Sequence, residues 1–196
     1  MQIIQKPVKN FAVGRKSKPE IIVIHVTDSN KESAYNWFNN PQSMVSAHYL
    51  VCRNREIWQM VEDSNVAWAN GLKVNPTALR VLEKPTMNPN EYSLSIEVEG
   101  QSWSYIPETQ YEDIADLVLY LSNKWGIPIN NLCVIGHNSI RQNKRCPLPV
   151  SVDKILKIAI EKKNLTYSLN PAIIELSKQI ANLWDLLNSF RSVGRK

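Results

Sequence analysis

One run constrains this chain more than any other: residues 20–26, EIIVIHV, directly after Pro19. Its four consecutive β-branched aliphatic residues favour an extended backbone and leave neither face polar. Such a strand has to sit inside a sheet that is covered on both sides. The fold it predicts is layered, with helices packed over a central sheet.

The rest of the chain supplies those layers. Residues 31–39 (KESAYNWFN) read as a short helix that Pro41 stops. Residues 48–53 and 56–61 flank Asn54 as a hairpin. Residues 70–92 hold Pro76, Pro85 and Pro89 without a clean period and read as a long loop, with at most one helical turn. Residues 93–99 (SLSIEVE) alternate and close on Gly100, as a strand does. Pro107 and Glu108 open a helix that Gly126 ends, with Ile114, Leu117, Val118 and Leu121 on one face. Residues 131–135 read as another short buried strand, and Ser151 caps a helix running to about Lys162. The expected class is α/β: a mixed central β-sheet flanked by helices, plus a C-terminal amphipathic helix.

With 196 residues, 43% of them hydrophobic, the chain has material for one sizeable core. No uninterrupted apolar stretch approaches the length of about 18 residues that a membrane-spanning helix requires. Three cysteines, at positions 52, 133 and 146, are too scattered for a disulfide framework.

The net charge of +5 has a location. Residues 1–18 carry Lys6, Lys9, Arg15, Lys16 and Lys18 and no acid, while the remaining 18 basic residues match the 18 acidic ones. This predicts a basic N-terminal arm at 1–18, either attracted to an anionic polymer or simply solvated. The main domain is expected at 19–163 and a linker with the amphipathic helix at 164–196. In that helix Ile173, Leu176, Ile180, Leu183, Leu187 and Phe190 step by three and four, a heptad seam of under three repeats. Docking on its own domain, self-association, a partner groove, or contact with a membrane or wall through Trp184, Arg191, Arg195 and Lys196 all fit this pattern.

Few residues here can do chemistry. His25 and His137 each end a buried strand, where sites form in sheets with helical crossovers. Cys146 follows His137 by nine residues on a polar loop. Two imidazoles and a thiolate suit Zn²⁺ and leave a fourth position open; isolated structural histidines fit the spacing as well. Glu97 lies within the strand at 93–99, on the face shared by Ser95 and Glu99. It is either a general base that later acts as acid, or part of a solvated acidic edge. Lys144 precedes Cys146 by two residues and can stabilise an oxyanion if Cys146 binds metal. His48, beside Tyr49, reads as a packed core histidine.

Seven segments in register then carry a resemblance: IVIHVTD (22–28), VSAHYLVCRNREIWQMV (45–61), VAWANG (66–71), SLSIEVEG (93–100), QYEDIADLVLYLSNKWGIP (110–128), VIGHNSI (134–140) and KRCPLP (144–149). Over residues 10–162 the chain resembles the type-2 N-acetylmuramoyl-L-alanine amidases, a family that includes phage endolysins and peptidoglycan recognition proteins. The resemblance implies one Zn²⁺ held by His25, His137 and Cys146, with Glu97 and Lys144 as catalytic residues. It also places Trp68 and Asn70 in the substrate groove. The implied substrate is peptidoglycan, cut at the amide between the muramyl lactyl group and L-alanine. Two departures stand out. Members with a cysteine ligand often carry tyrosine where this chain has Ala47, and residues 141–147 do not reproduce the usual segment.

Two other functions share these residues. One is a non-catalytic peptidoglycan receptor or inhibitor of the same fold; the other is a cysteine hydrolase using Cys146 and His137. A nucleic-acid partner is not expected, because the body lacks a basic patch interleaved with aromatics. Residues 1–18 lack the apolar core of a secretory signal. Synthesis in the cytoplasm and release to the wall through a membrane pore or by injection is the expected route.

Overall fold

The computed structural model describes residues 1–193, and for residues 167–170, 172, 177, 181 and 185–193 only the backbone. The chain divides into two compact units, Met1–Ala159 and Ile160–Lys196.

The first unit is built on a six-stranded sheet. Its strands are β1 (Ile3–Gln5), β3 (Ile21–Val26), β4 (Tyr49–Val51), β5 (Ile57–Gln59), β7 (Ser93–Val98) and β8 (Val134–Gly136). They lie in the order β1-β5-β4-β7-β3-β8. Only the β4–β5 hairpin is antiparallel; β1 on β5, β4 on β7, β7 on β3 and β3 on β8 are parallel. A separate two-stranded ribbon joins β2 (Phe11–Ala12) to β6 (Val66–Ala67). The helices are α1 (Lys31–Asn39), α2 (Leu79–Leu82), α3 (Glu108–Trp125) and α4 (Val152–Val193).

Alternation along β3 and β7 sorts the two faces of the sheet. Ile22, Ile24, Leu94, Ile96 and Val98 join Ile114, Leu117, Val118 and Leu121 of α3 and Ile155 and Ala159 of α4 in the main core. Ile21 and Val23 point to the opposite face, with Val81 of α2 and Tyr92. That second face also carries Ser95, Glu97 and His25, so one strand pair holds an oily layer on one side and the polar functional groups on the other. The alternative of a solvated acidic edge is corrected: β7 is central, and all six of its residues are buried. Glu99, just past it, accepts from the backbone N–H groups of Lys31 and Arg53 at 2.9 and 2.8 Å, anchoring the start of α1.

The N-terminal residues differ from the expected arm. β1 adds a sixth strand beside β5, and Asn10 donates to the carbonyls of Asn40 and Val45 and to Ser43. Net charge said nothing of Ile3, Ile4, Val8 and Phe11, whose apolar side chains tie this segment to the sheet. Arg15, counted as a loose cation, is half-buried. It donates to the carbonyls of Asp63, Glu91, Ser93 and Asn65 at 2.6–3.2 Å, and its Nη2 lies 2.9 Å from His48 Nε2. Burial, and then Arg15 itself, push His48 down to about 3, so its ring stays neutral. Replacing Arg15 with Met removes those donors and strands several buried acceptors. A loss of about 2–4 kcal/mol in urea unfolding is expected; a change within experimental scatter would show that these bonds contribute nothing net.

The helix from Ser151 also differs from expectation. It does not stop near Lys162: α4 is continuous to Val193 with Pro171 inside it. Residues 163–170 contain neither glycine nor proline to interrupt it, and the helix runs on through Pro171 although a proline there lacks the N–H and its ring crowds the carbonyl four residues back. Within the second unit Ile173, Leu176, Ile180, Leu183 and Trp184 are exposed. The side chains of Leu187, Phe190 and Arg191, and all of Arg195 and Lys196, lie outside the described residues. No helix of the described residues is long and apolar enough to cross a membrane.

Candidate metal centre

The sheet brings the chemistry-bearing residues together at the C-terminal ends of its parallel strands. His25 and Glu97 are register partners on β3 and β7, so their side chains stand next to each other on one face. His137 follows β8 directly, with its ring centroid 4.5 Å from that of His25. Cys146 returns on the loop after it, fixed by Asn138 N–H donating to the Cys146 carbonyl at 2.8 Å. One donor atom from each of His25, His137 and Cys146 lies within 4.8 Å of the others.

Local packing explains why this convergence requires the sequence it has. A Cβ on Gly136 would meet Pro147 Cδ and Asn138 Oδ1 at 2.7 Å. Glycine before His137 therefore lets the Cys146 loop close over the strand end. The long segment 70–92 forms part of the support. Val74 pairs with Arg141 as a bridge, and Thr77 and Ala78 donate to the Ser139 carbonyl.

The donor set is prepared for a cation. Nε2 of His137 lies 3.1 Å from the carbonyl oxygen of Asn70. A carbonyl only accepts, so Nε2 carries the proton and Nδ1 keeps its lone pair. His25 Nε2 is buried with no hydrogen-bond partner. Burial and neighbouring His137 hold His25 well below the usual histidine range, and burial also lowers His137. Both imidazoles are thus neutral, the form in which imidazole can bind a metal. Burial, with Glu97 adding to it, raises the Cys146 thiol to about 12, while the Val26 N–H bond at 3.4 Å to Sγ opposes this. A divalent ion reverses that balance, because a coordinated thiol deprotonates. The residues therefore fit Zn²⁺, with three ligands and one position left for another group.

An open cavity of ≈ 390 Å³ surrounds these atoms. His25, His137, Cys146, Glu97, Lys144 and Trp68 all line it. Glu97 is the one carboxyl among its described lining residues. Its Oε2 has no partner, and desolvation raises its pKa from 4.5 to about 8. Asn70 differs from expectation: it is 0% exposed and does not line the groove. Its backbone carbonyl steadies His137, and its side chain donates to Ser93 Oγ at 2.9 Å. Ala47 is buried in the cluster with Phe38 and Trp58, so no hydroxyl stands at that position. Sequence reasoning missed Trp37, Met44 and Arg141, which also line the cavity. Trp37 sits one residue before the buried Phe38, a helical offset that turns it outward; nothing in the sequence marked Met44 or Arg141.

Comparison with known proteins agrees with this geometry. The N-acetylmuramoyl-L-alanine amidase family pattern matches residues 15–149. N-acetylmuramoyl-L-alanine amidase A of Achromobacter lyticus is 28% identical over 82 residues, 41% of this chain and 37% of that protein. The match thus spans little more than a third of that relative. A crystal structure of AmpD superposes with a TM-score of 0.65 at 21% identity, over 80% of this chain and 93% of that one. The amidase AmiD from E. coli superposes with a TM-score of 0.52 at 24% identity, over 67% and 54%. It was solved with its substrate anhydro-N-acetylmuramic acid-L-Ala-D-gamma-Glu-L-Lys. These likenesses establish the shared fold, and the match across residues 15–149 places the chain in the N-acetylmuramoyl-L-alanine amidase family.

Proposed function

We propose that this protein hydrolyses the amide joining N-acetylmuramic acid to L-alanine in peptidoglycan, using one zinc ion held by His25, His137 and Cys146. The observation that carries this reading is the Glu97 carboxyl, whose Oε2 has no partner, facing the same cavity as two neutral imidazoles, a thiol and the Lys144 ammonium. When bound, zinc supplies Lewis acidity that polarises the amide carbonyl and lowers the pKa of water.

The chain's own residues do the rest. Glu97 accepts a proton from the attacking water, its Oε2 being buried beside the site with no other partner. The same carboxyl then protonates the departing alanine nitrogen. Lys144 donates to the carbonyl oxygen as negative charge develops there. Trp37, Met44 and Trp68 form an apolar wall that orients the substrate. The Asn70 carbonyl holds the His137 ring in position. The role of this reaction is cell-wall lysis of the endolysin type.

Mass spectrometry of digested peptidoglycan tests the reading. New L-alanine amino termini on stem peptides, lost with chelator and restored by zinc, are the expected result. Intact peptidoglycan from zinc-loaded protein that still binds the wall would instead make the chain a receptor. Activity that survives chelation would point to a thiol hydrolase, against which the raised pKa of Cys146 already argues. Lys144→Met is expected to lower kcat about 10- to 100-fold with metal content unchanged; an unaltered kcat would remove Lys144 from the reaction.

A further inference from the structure

Arg141 is a charged group of the cavity that the chemistry above does not use. It lies between His137 and Cys146, with its backbone bridged to Val74. Among the described residues it makes no ion pair. Its Nε is buried without an acceptor. Its guanidinium rests against Gly71, where a Cβ would stand 2.5 Å from Nη1. Glycine at 71 is therefore what admits the arginine, and Gly71 also takes a positive φ of 61°.

Arg141 is only half-buried, but its shielded Nε has no acceptor and its charge no counter-ion among the described residues, and an anion would supply both. Glu97 does not serve, because its Oε2 is itself without a partner. The cavity is thus apolar on the wall of Trp37, Phe38, Met44 and Trp68, and cationic where Arg141 and Lys144 face it. The anion that fits must come with the substrate, close to the bond that is cut.

The substrate carried by AmiD contains L-Ala-D-gamma-Glu-L-Lys. A γ-linked glutamate uses its side-chain carboxyl in the peptide chain. Its α-carboxylate is left free, one residue beyond the amide that is cleaved. We propose that Arg141 binds this α-carboxylate through two parallel N–H···O bonds, so that the enzyme selects stems with glutamate over isoglutamine at the second position. The proposal rests on the amidase reading above. Guanidinium and carboxylate match as planar two-pronged partners, whereas an amide offers one acceptor and no charge.

The test uses two synthetic muramyl tripeptides that differ only at that α-carboxyl, free in one and amidated in the other. The ratio of their kcat/KM values is measured with zinc-loaded wild type, R141Q and R141K. The wild type is expected to prefer the acid about 10- to 100-fold. R141Q should bring the ratio close to one, and R141K, which keeps the charge but not the fork, should fall between. A wild-type ratio near one overturns the proposal. So does a ratio that the substitutions leave unchanged, including a uniform loss on both substrates. If R141Q fails to fold, a fall in the ratio with R141K decides. If the wild type cleaves neither substrate, the amidase reading fails, and calorimetry with the two free tripeptides decides for the arginine. Tighter binding of the acid, lost in R141Q or R141K, supports the carboxylate site; equal or absent binding of both overturns it.

Discussion

Glu97→Gln is expected to lower kcat on peptidoglycan about 10³-fold while zinc content stays at one per chain. The substitution keeps the volume and a hydrogen-bonding end but cannot take up a proton. Ala47 offers no hydroxyl, and no second carboxyl stands among the described lining residues, so none of them replaces the lost base. Activity and metal content measured on one preparation separate this from loss of the site. Retained turnover would remove Glu97 from the mechanism.

The same variant has a signature in stability. Burial raises the Glu97 pKa on folding, so the folded state binds a proton more tightly than the unfolded chain. In metal-free protein this carboxyl therefore costs stability progressively as pH rises from about 4.5 to about 8. Glu97→Gln is expected to remove that slope, leaving the metal-free variant more stable than the wild type at pH 8. Thermal unfolding of both proteins at pH 5 and pH 8 reads this directly. An unchanged difference between the two pH values would mean that the carboxyl is already solvated in solution.

Cys146→Ala is the second large effect. It removes the only thiol in a three-ligand set and leaves two imidazoles, which hold zinc poorly. Zinc affinity is expected to fall at least about 100-fold. Activity at limiting zinc should fall with it. Added zinc should no longer raise Tm, because a ligand stabilises only by as much as it prefers the folded state. Cys146→Asp, which supplies a carboxylate of similar reach, is expected to recover part of the affinity. Stoichiometric zinc in Cys146→Ala after dialysis would exclude this residue as a ligand. The loop geometry makes that outcome specific: Sγ already lies close to both histidines and to the Val26 N–H.

The sequence by itself determined the layered fold and most of the site. Residues 20–26 required a covered strand, and the structure places β3 between β7 and β8. The alternation SLSIEV gave β7 one oily and one polar face, which is why Glu97 faces the site rather than the core. Histidine at the end of two such strands, with a cysteine on the following loop, offered a candidate ligand set, and the resemblance over residues 10–162 singled it out from isolated structural histidines. These features were legible because periodicity and residue chemistry are local.

What depended on contacts between distant parts of the chain was decided only by the tertiary structure. Charge counting made residues 1–18 an arm, yet the unpaired edge of β5 receives β1, and Arg15 finds backbone acceptors that no spacing rule announces. Asn70 acts through its carbonyl, an atom every residue has, so its type could not reveal the contact with His137. Arg141 gains its place from Gly71, seventy residues earlier in the chain, and the long loop between them folds back to pair Val74 with it. Side-chain pattern fixes which face a residue takes along its own strand. Which group it meets there depends on how the strands and loops close, and only the folded chain decides that.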